Sequence, residues 1–154
     1  MPHKESLQNT EILAAMPHAK HIYTVSSNVG YGCKNHPEDV RLIQFFINSV
    51  ADTEREFWPN RPKRLVTDGI FGGNTWSAIK NFQKWALVSV VDGMVNSVNG
   101  KKAEGSKHHK VYAMYLLNYY YFQAREEFFH DIRTDPELPS ELRTFLSGPL
   151  KDLV

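Results

Sequence analysis

Apolar residues in the first half of the chain recur at Val40, Ile43, Ile47 and Val50, an i, i+3, i+7, i+10 spacing that Phe46 widens into a helical face. Asn35 or His36 can cap this segment, Pro37 suits a first turn, and Glu38 and Asp39 complement the helix dipole, so the pattern predicts a helix over 37–51. A second stripe, Thr75, Ile79, Phe82 and Ala86, predicts a helix from Gly73 to Leu87. Tyr112, Tyr115, Leu116, Tyr119, Phe122, Glu126 and Phe129 fall on overlapping i, i+3, i+4 rows and predict a long helix over 110–133, ended by Asp135-Pro136. Pro139-Ser140-Glu141 starts a last short helix through Phe145, closed by Ser147-Gly148-Pro149. Ile22 to Val25 is β-prone, with Gly30 and Gly32 in the turn behind it. Residues 1–20 mix polar residues with one apolar patch, Ile12 to Met16, and read as a loose arm or a short docked helix. Pro59 and Pro62 break the polar stretch Asp52 to Lys63, where Phe57 and Trp58 are expected to fold back on the core. The expected fold class is mainly α.

Composition narrows the class without identifying it. Of 154 residues, 42% are apolar and 23% charged, ordinary values for a globular protein. A formal charge of +1 argues against electrostatic capture of nucleic acid. The main basic cluster, Lys101-Lys102 and Lys107-His108-His109-Lys110, is interrupted by Glu104-Gly105 and reads as a solvated loop. No run of about 18 apolar residues offers a membrane span. No basic stretch followed by an apolar core marks a Sec leader, so the product is expected to be cytoplasmic as synthesised. A role at the cell wall would then need a non-Sec exit, such as lysis, a phage or a contractile secretion machine.

Catalytic chemistry finds little support. Cys33 is the sole cysteine, which excludes an internal disulfide and a multi-cysteine zinc site. The seven histidines include no His-x-His or His-x-x-x-His pair, so no metal centre is expected. Glu54, Glu56, Glu126 and Glu127 lie in charged stretches and read as a solvated face, not as a glycosidase acid in an apolar pocket. Cys33 reads as a small structural residue. The expectation is a protein without enzymatic activity, cofactor or metal.

The most informative segment is Val66-Thr67-Asp68-Gly69-Ile70-Phe71-Gly72-Gly73-Asn74-Thr75-Trp76, which runs from a tight turn into a helix. Asp68 can bond backbone N–H groups ahead of it, and Gly69 can take positive φ. Asn74 and Thr75 sit in the first helical turn, where free N–H groups can meet ligand oxygens. Asp68, Gly69, Gly72 and Phe82 are best explained by folding, whereas Asn74, Trp76, Lys80 and Gln83 are candidates for ligand contact. An echo occurs 24 residues later at Val91-Asp92-Gly93-Met94, without a second Phe-Gly, and so falls short of a full repeat.

Two segments resemble the peptidoglycan-binding domains of the small three-helix type. Glu38-Asp39-Val40-Arg41-Leu42-Ile43-Gln44-Phe45-Phe46-Ile47-Asn48 is similar to the family's opening helix, with its Val-x-x-Leu-Gln-x-x-Leu-Asn pattern. Asp68-Gly69-Ile70-Phe71-Gly72-x-x-Thr75, with Ala78-Ile79 and Phe82-Gln83, is similar to its Asp-Gly-x-Phe-Gly-x-x-Thr helix. The resemblance spans about residues 29–100; Gly73 stands where the family often has Pro, and the aromatic last third matches no pattern. It implies a peptidoglycan-binding-like three-helix bundle, and the chain's own pattern adds a C-terminal helical extension: an arm at 1–21, the bundle at 22–100 and an aromatic-rich extension at 101–154. It implies non-catalytic binding of peptidoglycan as a targeting module, in a groove beside the 68–76 turn. There Asn74 and backbone N–H groups would meet glycan or peptide oxygens, Phe71 or Trp76 would stack, and Gln44, Lys80 and Gln83 would supply further contacts. The alternative is an adaptor or scaffold that recognises a protein, or a second copy, through the aromatic Tyr112–Phe129 helix.

Overall fold

A computed structural model describes residues 2–6, 15–17, 19–53, 64–86, 88, 90–98, 104–105, 110–111, 113–144 and 146. Several expectations fall outside these residues: those for Phe57, Trp58, Leu87, Tyr112, Phe145, Glu54, Glu56 and the His108-His109 pair. The described chain is mainly helical, as the periodicity requires. Its elements are β1 (His3–Ser6), β2 (His21–Thr24), α1 (Pro37–Thr53), α2 (Gly73–Trp85), β3 (Glu104–Gly105), β4 (Lys110–Val111), α3 (Ala113–Ala124), α4 (Glu126–Phe129), a 3₁₀ turn (Ile132–Thr134) and α5 (Ser140–Arg143). No helix among the described residues is long and apolar enough to cross a membrane.

α1 is the centre of the molecule and is enclosed on nearly every side. From Asp39 to Val50 every residue but Arg41 is buried, because α2, α3 and α5 all pack against this one helix. Phe45 and Phe46 meet Tyr121 of α3 at ring-centroid distances of 5.7 and 4.9 Å. Each such ring removes enough apolar surface from water to contribute about 2–3 kcal/mol. The polar residues this enclosure traps are bonded: Ser49 Oγ donates to Phe45 O at 3.0 Å, and Asn48 holds both the N–H and the C=O of Leu65 at 2.9 Å. Buried Asp39 accepts from the backbone N–H groups of Ser26 and Ser27, yet burial still holds its carboxyl above the usual range.

Within the N-terminal segment, read from the sequence as a loose arm or a short docked helix, His3–Ser6 form a strand. β1 pairs antiparallel with β2, His3 opposite Thr24 and Ser6 opposite His21. Pairing satisfies one edge of a strand whose four side chains are all buried. A side chain from α3 covers the other edge: Asn118 accepts from Tyr23 N–H at 2.8 Å and donates to Tyr23 O at 2.7 Å. The Tyr23 hydroxyl donates to Phe129 O at 2.7 Å and accepts from Ile132 N–H at 3.0 Å. One hydrophobic core therefore runs from Met16 through α1 to Leu146.

The long aromatic helix expected over 110–133 is interrupted. Residues 110–111 pair with 104–105 as a short hairpin, and at Arg125 the backbone leaves helical geometry with φ −141° and ψ 51°. The cause is ionic. Arg125 places Nε 2.7 Å from Asp135 Oδ2, one terminal nitrogen 2.8 Å from Asp135 Oδ1 and the other 2.9 Å from Glu137 Oε2. Asp135 is fully buried and also accepts from the Tyr121 hydroxyl at 2.7 Å, a bond that with burial raises the phenol's pKa. Bending the chain at Arg125 returns Phe129 and Ile132 to the core. Most of the aromatic face is turned inward, with Tyr115, Tyr121, Phe122 and Phe129 buried and Tyr119 and Tyr120 half-buried.

His21 lies 5% exposed at the other end of the core, stacked on Phe129 at 5.6 Å and edge-on to Tyr23 at 4.9 Å. Burial first, then the charges of Lys4 and His130, push its pKa down to about 4; the Phe129 backbone and Asp131 oppose the shift.

Removing the Asn118 carboxamide tests the clasp on β2. Asn118→Ala leaves the buried N–H and C=O of Tyr23 without partners and should cost about 3 kcal/mol, read as a lower urea midpoint at unchanged slope. For His21, the unfolded chain takes up a proton near pH 6.5 that the folded chain refuses until about pH 4. Its stabilising effect is therefore complete above pH 6.5 and declines as pH falls toward 4, by up to roughly 3 kcal/mol. Urea midpoints at pH 7 and pH 5 should diverge in the wild type and much less in His21→Phe; equal divergence in both would discount His21.

Candidate functional site

The site is built on two matched turns. Asp68 Oδ1 accepts from Ile70 N–H at 2.9 Å, Gly69 takes φ +74°, and Gln44 of α1 closes over the turn. Gln44 Oε1 accepts from Gly69 N–H at 3.0 Å, while its amide nitrogen lies 3.2 Å from Asp68 Oδ1, 3.2 Å from Ile70 O and 3.1 Å from Thr75 Oγ1. The sequence echo repeats this arrangement. Asp92 Oδ1 accepts from Met94 N–H at 2.9 Å, and Gly93 takes φ +73°. Gln83 of α2 accepts from Gly93 N–H at 2.8 Å and donates to Asp92 Oδ1 and Met94 O at 3.1 and 3.0 Å.

Each glycine lies against the residue seven places before its glutamine, two helical turns away. A Cβ on Gly69 would lie 2.7 Å from Pro37 O, and one on Gly93 would lie 2.4 Å from the Trp76 ring. The turn is thus duplicated, but its exit is not. After the first turn, Gly72-Gly73 open α2; after the second, the chain runs back across Val29, with Val29–Val95 backbone bonds of 3.0 and 2.8 Å.

Residues 64–70 form a strap fastened to α1 along its length. Asn48 holds Leu65, Arg41 donates to the carbonyls of Thr67 and Asp68 at 3.1 and 3.0 Å, and Gln44 holds the turn. Arg64 pairs with Asp52 and reaches Glu137 at 3.6 Å. Between this strap and α2 lies a groove of about 500 Å³. Arg64, Val66, Asp68 and Ile70 line it on the strap side, and Gly72 to Thr75, Ser77 and Asn81 on the helix side. Val66 and Ile70 are 73% and 68% exposed. Gly72 provides no side-chain cap, so no N-cap side chain covers the first-turn N–H groups of α2. Asp68 is held below the usual carboxylate range, chiefly by the Ile70 N–H; burial opposes this, and Gln44 and Arg41 add smaller lowering effects.

The six residues singled out from the sequence divide between three environments. Asn74 is exposed in the groove. Gln44 and Gln83 are buried and their carboxamides are spent on the two turns, so the structure corrects their expected role: they are fold-forming residues. Phe71, Trp76 and Lys80 lie on a different face. α2 carries Asn74, Ser77 and Asn81 on one i, i+3, i+7 stripe and Trp76, Lys80 and Gln83 on another, roughly a third of a turn or more away. Lys80 Nζ sits 4.2 Å over the Trp76 ring, whose edge is packed on Gly93, so the face expected to stack on a sugar already holds a cation. Phe71 is edge-on to Tyr31 at 5.1 Å.

Sequence reasoning passes over Ser77, Asn81, Arg64, Val66 and Ile70 in the groove, and Tyr31, 59% exposed beside Phe71 and Trp76. The stripe of small polar residues at 74, 77 and 81 is the available signal for the first two. Cys33, beside these aromatics, is held by burial and by Asp92 above its usual pKa, a setting that disfavours the thiolate. Among the described residues no group of three or more His, Cys, Asp or Glu could hold a metal ion. The sequence matches no family model, no curated protein and no solved structure.

Gly69→Ala combines positive φ with a backbone collision and should destabilise by about 2–3 kcal/mol, whereas Gly73→Ala, with open space at its Cβ, should change stability by less than about 0.5 kcal/mol. Urea titration of the two variants tests whether the turn, and not its glycine content as such, is what the fold requires.

Proposed function

We propose that the protein binds bacterial peptidoglycan without cleaving it, through the groove between the 64–70 strap and the Asn74–Ser77–Asn81 stripe of α2. The observation that carries this reading is the position of the groove. It opens on the Asp68-Gly69-Ile70-Phe71-Gly72-x-x-Thr75 segment, whose likeness to peptidoglycan-binding domains points to the role. Its walls suit a ligand with both apolar and hydrogen-bonding faces: Val66 and Ile70 stand opposite two carboxamides, a hydroxyl and an uncapped helix start. Asn48 and Gln44 fasten the strap to α1, so little ordering cost falls on binding.

Purified sacculi should retain the wild-type protein in a sedimentation assay and release no soluble muropeptide during incubation. The Asn74→Ala/Asn81→Ala double variant, altered at side chains that bond no described residue, should keep its urea midpoint and lose about tenfold in retention. Full retention by the folded double variant, or none by the wild type, would overturn the assignment.

A further inference from the structure

We infer that the groove takes the glycan chain of peptidoglycan, an uncharged polymer of N-acetylated amino sugars, and leaves the charged peptide stem outside. This inference rests on the peptidoglycan-binding reading and specifies which part of the polymer is recognised. It is drawn from which polar groups the groove leaves unspent.

Both ionised side chains that line the groove are already engaged. Arg64 is paired with Asp52 and Glu137, and Asp68 Oδ1 accepts from the Ile70 N–H and the Gln44 amide. They carry opposite signs, so the described lining of the groove carries no net charge. Neighbouring cations of the described chain are turned elsewhere. Arg41 is spent on the Thr67 and Asp68 carbonyls and lies 3.5 Å from Glu141, and Lys80 lies over Trp76 on the other stripe. A stem peptide, whose terminal and side-chain carboxylates need a cation, finds none unengaged among these described groups.

The unspent groups are neutral. Asn74, Ser77 and Asn81 make no hydrogen bond to any described residue and lie along one stripe about 10 Å long. Carboxamides both donate and accept, which matches an acetamido group, and a serine hydroxyl matches a ring hydroxyl. Val66 and Ile70 face this stripe across the groove with most of their surface exposed, a seat for the C–H face of a pyranose ring or an acetamido methyl.

The test compares three soluble probes on the full chain: a four-unit N-acetylglucosamine oligomer, its deacetylated counterpart and a synthetic stem peptide. Backbone amide shifts are followed by NMR, and competition with sacculi by sedimentation. The acetylated oligomer is expected to shift Asn74, Ser77 and Asn81 and to displace sacculi, and its affinity should change less than about twofold between about 50 and about 300 mM salt. The deacetylated oligomer and the peptide should do neither, and Asn74→Ala/Asn81→Ala should weaken the acetylated oligomer by about tenfold. Sacculus retention displaced by the stem peptide and not by the oligomer, or equal binding of the deacetylated oligomer, would overturn the glycan inference while leaving wall binding in place. Absence of any sacculus retention would remove both.

Discussion

A chain with two short strand pairs and several long irregular segments packed against helices must find partners for backbone groups that no ladder supplies. This one does so with carboxamides. Asn118 closes on Tyr23, Asn48 on Leu65, Gln44 on the Gly69 turn and Gln83 on the Gly93 turn, each meeting both an N–H and a carbonyl. Asn35 does the same for Gly30. A buried amide left open costs about 1–3 kcal/mol, so these bonds do less to add stability than to forbid other placements of the strand and straps. The apolar core could tolerate a sliding loop; a two-point amide contact does not.

That constraint produces the groove. With Leu65, Thr67, Asp68 and Gly69 all tied to α1, the strap cannot collapse onto α2, and the space between them stays open at about 500 Å³. The ionic anchor at the far side has a parallel effect on the aromatic third of the chain. Desolvating Asp135 is tolerable because Arg125, Tyr121 and the Glu137 N–H all satisfy it, and the resulting bend turns Phe129 inward. Of the α3 tyrosines, Tyr121 packs on Phe45 and Phe46 of α1, and Tyr120 packs on Phe82 and Trp85 of α2.

Local periodicity and caps determine the part of the fold that is legible in the sequence. α1 begins at Pro37 and α2 at Gly73 as the patterns require, and the Asp-Gly turns come from their own chemistry. The pairing of β1 is not legible, because it depends on a buried edge of β2 some fifteen residues away. The break at Arg125 is equally hidden, since helix propensity carries no mark of an acid ten residues on. Gln44 and Gln83 resemble ligand contacts for a related reason. A glutamine that serves a ligand and one that serves a turn look alike until burial is known, and Gln44 reaches a turn 24 residues ahead of it. Asn81 escapes notice in the opposite direction: it falls between Ile79 and Phe82 at a place the motif does not specify, and only a helical register with Asn74 marks it.

Two closely matched turns raise the question of why only one borders a groove. The difference lies in what each turn's exit is bonded to. Beyond Met94 the chain is stitched shut: Val95 pairs with Val29, the Ser97 hydroxyl donates to Val25 O at 2.8 Å, and Ser97 N–H donates to Asn28 at 2.9 Å. The backbone of Val95 and the N–H and hydroxyl of Ser97 are therefore closed to a ligand, and Trp76 with Lys80 fills the space above Gly93. Beyond Ile70 the chain instead passes Gly72 into a helix with no side-chain cap and a stripe of unspent amides. The clasped turn is thus a folding device in both copies, and the groove borders the copy whose exit carries no side-chain cap.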